Sequence, residues 1–160
     1  MTERHDSLIL HFIVRVLMVP FIFLFGMYVL IHGEASPGGG FQAGAIVAAA
    51  IILGRLTLGH DHAGNRFSTR LLIWLASIGV GIYLVAGIVP LFFGANYLDY
   101  SQLPVGWFND VAQHHRTGRA MGIFIVEIGV FVAVLSTLVI LYDYLTERSQ
   151  EEDADGDAHD

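Results

Sequence analysis

Four apolar blocks, each long enough to cross a bilayer, fix what this chain can fold into. The first runs charge-free from Val16 to Ile31 and is extended toward the N-terminus by Leu8, Ile9, Leu10, Phe12, Ile13 and Val14. The second, Phe41 to Leu58, is interrupted only by Arg55, one turn from its end, where a long side chain is expected to snorkel to the interface. The third, Leu71 to Phe93, carries no charge, and the fourth, Ala120 to Tyr142, carries one, Glu127. A helix of roughly 20 such residues crosses the hydrocarbon core. With 54% apolar and only 14% charged residues among 160, and a mean hydropathy of +0.60, the composition matches that reading and not a soluble domain. The expected fold is an all-α integral membrane protein with four transmembrane helices, at about 8–32, 41–59, 70–93 and 119–144.

Orientation follows from the arginines, because cytoplasmic loops keep positive charge. Arg4, Arg15, Arg55, Arg66, Arg70 and Arg148 fall on one side, and only Arg116 and Arg119 on the other. Both termini are therefore expected in the cytoplasm. Residues 1–146 read as one four-helix membrane domain. Residues 147–160 hold Glu147, Glu151, Glu152, Asp153, Asp155, Asp157 and Asp160 against Arg148 alone, and so supply most of the formal net charge of −7. Such an acidic tail cannot bury apolar area and is expected to be disordered. No lysine and no basic patch exist to neutralise phosphates, which excludes nucleic-acid binding. The absence of cysteine excludes disulfides, thiol redox chemistry and cysteine-held zinc or iron–sulfur sites. The first block is too long for a cleaved signal peptide and is followed by no small-residue cleavage pattern.

Small residues recur at helical spacing, as they do where membrane helices approach closely. Gly40 and Gly44, Gly118 and Gly122, and Ser77 and Gly81 are each four apart, and Gly118, Gly122, Gly129, Ala133 and Thr137 form the longest stripe. Helix packing explains them without any further role. At about 100° per residue, Glu127 points away from Gly122, Gly129 and Ala133, on a face shared with Ile123, Phe124, Val130 and Phe131. A carboxylate facing lipid is costly, so that face must meet a second neighbour. A four-helix monomer does not readily supply one, and the chain is expected to work inside a larger membrane assembly. Glu127 is then either a structural acid, paired or protonated, or an ion-pathway carboxylate that takes up and releases H⁺ or Na⁺.

The eight histidines do not form a cofactor site. A membrane haem needs two facing histidines within helices, whereas His11 and His32 lie near opposite ends of the first. His60 with His62, and His114 with His115, lie in loops and do not share a helix face, so no metal is expected. No nucleophile–base pair, phosphate loop or dinucleotide fingerprint is present, and neither enzymatic activity nor a cofactor is expected.

The most specific segment joins the first two blocks: His32, Gly33, Glu34, Ala35, Ser36, Pro37, Gly38, Gly39, Gly40, Phe41, Gln42, Ala43 and Gly44. Pro37 stops the first helix, and three glycines permit a tight return with exposed backbone N–H groups. Such a nest suits a carboxylate or a lipid phosphate, or it is only a tight helical hairpin. This segment, preceded by Leu24-Phe25-Gly26-Met27-Tyr28, resembles the MrpB or MnhB type of component in the bacterial multisubunit Na⁺/H⁺ antiporter. Gly122-Ile123-Phe124-Ile125-Val126-Glu127-Ile128-Gly129-Val130 looks like the same family's fourth-helix stretch, and the likeness extends over roughly residues 7–145. The resemblance implies a multi-pass subunit in the bacterial plasma membrane, partnered by A-, C-, D-, E-, F- and G-type subunits. It implies exchange of cytoplasmic Na⁺ for external H⁺, in support of salt and alkaline tolerance. By position, Pro37 to Phe41 would form the family's hairpin and Glu127 its intramembrane acid. The alternatives are an accessory subunit of a redox-driven ion-pumping hydrogenase or complex I-like enzyme, and an autonomous homodimeric exporter.

Overall fold

The computed structural model describes residues 11–33, 38–58, 68–94, 96–100 and 111–156, without the side chains of 111–118 and 150–156. Among these the expected architecture is present: four helices are long and apolar enough to cross a membrane, and there is no strand. They are α1 (His11–His32), α2 (Gly40–Leu58), α3 (Thr69–Phe92) and α4 (Val111–Gly156).

Each departs from a regular rod where its sequence demands it. In α1 a π-helical turn, Val14–Met18, precedes Pro20, and the Val19 N–H reaches back to the Val14 carbonyl. Proline has no N–H to donate, and the wider turn absorbs the missing bond. Near the end of α3, Pro90 is tolerated two residues before the stop, and Gly94 (φ +74°) turns the chain away with its N–H on the Leu91 carbonyl.

The fourth helix is longer than its apolar block. It starts at Val111, ahead of the expected 119, and continues through Gly156, so most of the tail expected to be disordered extends the helix. Glutamate, glutamine and alanine are good helix formers, and adding residues to an existing helix carries no nucleation cost.

The helices stand in the order α1–α2–α4–α3. Neighbours α1 and α2 are antiparallel, as are α3 and α4, whereas α2 and α4 run parallel and in register. A β-carbon on Gly40 would overlap the Glu127 carbonyl, and one on Gly44 would stand 2.8 Å from the Phe131 carbonyl oxygen. Further along the same two helices, Arg55 is ion-paired with Asp143. That pairing corrects the expectation of a snorkelling Arg55: its side chain is only 15% exposed, and that of Asp143 12%. Midway, Ala48, Leu72 and Val139 meet as the buried core of α2, α3 and α4.

On the other face of α4, Gly79 of α3 lies against the backbone of Gly129 and Ala133, where an added β-carbon would come within 2.6 Å of the Gly129 oxygen. The expected pair Ser77 and Gly81 is not at this contact: Ser77 is exposed with its hydroxyl on the Ile73 carbonyl, and Gly81 faces open space. Large apolar side chains such as Phe21 (71% exposed) on α1 and Trp74 (68%) on α3 face outward, as lipid-facing residues do.

Two outcomes follow. Gly79→Leu should separate α3 from α4 and destabilise by at least the roughly 1–3 kcal/mol of an overpacked core, while Gly81→Leu should leave thermal stability in detergent unchanged. Asp143→Leu alone should cost up to roughly 3–5 kcal/mol by removing the anion paired with a largely covered guanidinium, and adding Arg55→Met should restore most of that loss; a double variant no more stable than the single one would show that the pair is not what the two side chains contribute.

Candidate functional site

The hairpin between α1 and α2 and the acid of α4, separate features in the sequence, occupy one place in the fold. α1 ends at His32, whose ring stacks on Tyr28 at 4.1 Å and whose Nδ1 lies 3.1 Å from the Tyr28 carbonyl. Gly33 follows and closes against the returning backbone, where a β-carbon would lie 2.7 Å from Gly39 Cα. Gly38 is seated on Val29, and Gly39 holds φ at +130°, a value that favours glycine. The Gly39 carbonyl then accepts the first helical bond of α2, from the Ala43 N–H at 3.0 Å. Gly39 is thus the N-cap of α2.

Glu127 enters this turn from α4. A β-carbon on Gly33 would stand 3.0 Å from its Oε2, and one on Gly39 3.3 Å from its Oε1. The carboxylate is therefore clasped between the two glycines that close the hairpin, with Gly40 lying on the backbone of Glu127 itself. It sits at the positive end of the α2 dipole, where first-turn N–H groups lack helical partners and negative charge is favoured. The side chain is half-buried. A residue larger than glycine at 33, 39 or 40 would occupy the space the acid and its backbone now fill.

The remaining sequence candidates divide. Gly44 continues the α2–α4 contact against Phe131, Val134 and Leu135, so Gly40 and Gly44 pack on the Glu127 face of α4. Gly129 and Ala133 meet α3, while Gly122 receives the ring of Tyr100 from the segment after α3 and not a helix. Gly118 lies within α4, in the part whose side chains are outside the described ones. Phe41, 66% exposed, and Gln42, also exposed, point away from the carboxylate site. Ser36 and Pro37, with Glu34, lie outside the described residues.

One expectation is corrected here. The second neighbour of the Glu127 face is supplied by the chain's own hairpin and α2, so this face does not by itself demand a further protein. Sequence reasoning also passed over Gly33 as a wall of the site and Gly26, whose α-carbon packs on Val47 and Ile46 and draws α1 onto α2. For Gly26 the signal was present as a glycine in an otherwise large apolar run.

Comparison with known proteins places the chain among antiporter subunits. Residues 9–140 match a family model described as a domain related to the MnhB subunit of the Na⁺/H⁺ antiporter. The Na⁺/H⁺ antiporter's B-type subunit in Bacillus subtilis (strain 168) is 30% identical over 122 residues, which cover 73% of this chain and 82% of that protein. A putative antiporter subunit mnhB2 of Staphylococcus aureus (strain Newman) is 34% identical over 126 residues, 76% of this chain and 87% of its own length.

If the hairpin is seated as described, Gly40→Ala should lift it off α4 and speed amide hydrogen exchange in the first turn of α2 by at least about tenfold, a loss of roughly 1.4 kcal/mol of local protection. Phe41→Leu, at an exposed position, should not. Equal exchange in the Gly40 variant and the parent would refute the seating.

Proposed function

Because this chain belongs to the family of MnhB subunits of Na⁺/H⁺ antiporters, we propose that it is a four-span subunit of a complex exchanging cytoplasmic Na⁺ for external H⁺, with Glu127 as an ion-handling carboxylate. In this reading the complex lies in the bacterial plasma membrane, both termini are cytoplasmic, and subunits of the A, C, D, E, F and G types are the partners. The chain itself is a transporter component and not an enzyme.

The observation that carries the role of Glu127 is its clasp between Gly33 and Gly39 within an otherwise apolar span. Intramembrane carboxylates are rare and expensive, and those that persist mark ion routes more often than other intramembrane positions do. The α2–α4 seam offers no straight route in this reading, because Ala48 and Val139, which meet there, are fully buried and apolar. Glu127 in this proposal exchanges its ion at the hairpin end, and the hairpin must shift for it to do so. The glycines suit that demand: Gly33 and Gly39 line the carboxylate with no side chain of their own, so a shift of the turn moves no bulky group there.

Glu127→Gln keeps the shape of the side chain and removes its charge. In inside-out vesicles containing the assembled complex, this variant should lose at least about tenfold of Na⁺-dependent H⁺ exchange, within the range of a lost charged group in a low-dielectric site, while all subunits still co-purify. Full exchange with intact assembly would sink the ion-handling role and leave Glu127 as a structural clasp.

A further inference from the structure

At the hairpin end of the bundle, residues 96–100 fold back over the seam between α3 and α4. Two aromatic rings seated on glycines hold this segment, Tyr97 on Gly87 and Tyr100 on Gly122. Beneath Tyr100 an open groove of about 510 Å³ runs between the helices, walled by Gly81, Val85 and Val89 of α3 and by Gly122 and Ile125 of α4. Its surface is wholly apolar. None of the described residues fills it at the deep end, where a β-carbon on Gly81 would meet no atom within 4 Å.

A cation follows on α4 beyond the shallow end. Arg119 lies one helical turn from Gly122 and is exposed, with no anionic partner among the described residues. Helical side chains lean toward the N-terminus, which carries its guanidinium outward past the rim, to the level where the apolar part of α4 ends. The phenols of Tyr83 and Tyr97 lie near that of Tyr100. Burial pushes the Tyr100 phenol above its ordinary value, and the neighbouring phenols of Tyr83 and Tyr97 push it the same way. Tyr100 thus stays neutral, and able to donate a hydrogen bond, further into the alkaline range.

We propose that this groove is a binding site for an anionic phospholipid, one acyl chain lying along Val89, Val85 and Gly81 and the phosphate resting on Arg119. The charge decides between occupants. An apolar helix of another protein would fill the groove but leave the guanidinium unanswered, and a zwitterionic lipid brings its own ammonium to its phosphate. Only a net-negative headgroup above an acyl chain answers both the apolar trough and the cation at its rim.

The test uses the complex purified through a tag on this chain, delipidated in detergent and titrated with phosphatidylglycerol or with phosphatidylcholine of identical chains, bound lipid being counted by native mass spectrometry. The parent should hold one phosphatidylglycerol more tightly than any phosphatidylcholine. Arg119→Gln should weaken that phosphatidylglycerol about fivefold, the effect of one basic residue at a membrane surface, without changing phosphatidylcholine. Gly81→Leu, which fills the deep end without touching protein, should abolish the same occupancy with every component of the complex retained. Equal binding of the two lipids, or an unchanged phosphatidylglycerol count in either variant, would overturn the proposal. Loss of a component from the Gly81→Leu complex would overturn it as well, by showing the groove to be a joint between proteins.

Discussion

The contact between Gly40 and the backbone of Glu127 sets the rest of the arrangement. In lipid no hydrophobic effect drives one helix onto another, so association rests on close van der Waals approach and on polar contacts that have no better partner. Here α2 and α4 touch backbone to backbone because glycine at 40 and 44 removes the side chains that would hold them apart. Once that distance is closed, the Glu127 side chain can leave α4 only along the turn that precedes α2. Gly33 and Gly39 leave room at the ends of that turn, so the carboxylate fits between them and ends at the N-terminus of α2. Packing and electrostatics are satisfied by the same few residues.

The opposite face of α4 repeats the device with different residues, Gly79 against Gly129 and Ala133. The helix is thus held on two sides by near-contact of backbones, and Arg55 with Asp143 fixes the parallel register of α2 and α4 at the far end. A buried ion pair gains little net stability after desolvation, but breaking it is costly, which suits it to specifying one register over another. A slip of α2 by one turn could still place Gly44 where Gly40 now meets Glu127, but it would separate Arg55 from Asp143.

What the sequence disclosed and what it withheld divide along one physical line. The four blocks were legible because bilayer thickness fixes helix length, and the direction of Glu127 relative to Gly129 and Ala133 was legible because helical period fixes azimuth. The partner of each face was not. α3 is apolar all round, so spacing alone could not distinguish Gly79, which packs, from Gly81, which does not; an amphipathic stripe would have marked the face, and none exists. The Arg55–Asp143 pair and the Glu127 clasp both depend on α2 lying parallel to α4, a relation between elements far apart in the chain that no local pattern encodes. The helical continuation beyond residue 146 had a local signal, the Glu, Gln and Ala content, but high charge favoured the disordered reading and the cost-free extension of a helix already formed outweighed it.

The clasp also changes what membership of a larger complex has to explain. Were Glu127 facing lipid, a neighbouring protein would be needed simply to shield it, and its presence would say little about ion movement. Since the hairpin covers it on one side, cover alone does not call for a neighbouring protein there. A carboxylate half-buried by its own chain does not owe its place to an interface alone. On the proposed reading it is kept because a shelter built of glycine backbone can open, and the dry seam below it directs any ion it exchanges back toward the hairpin end.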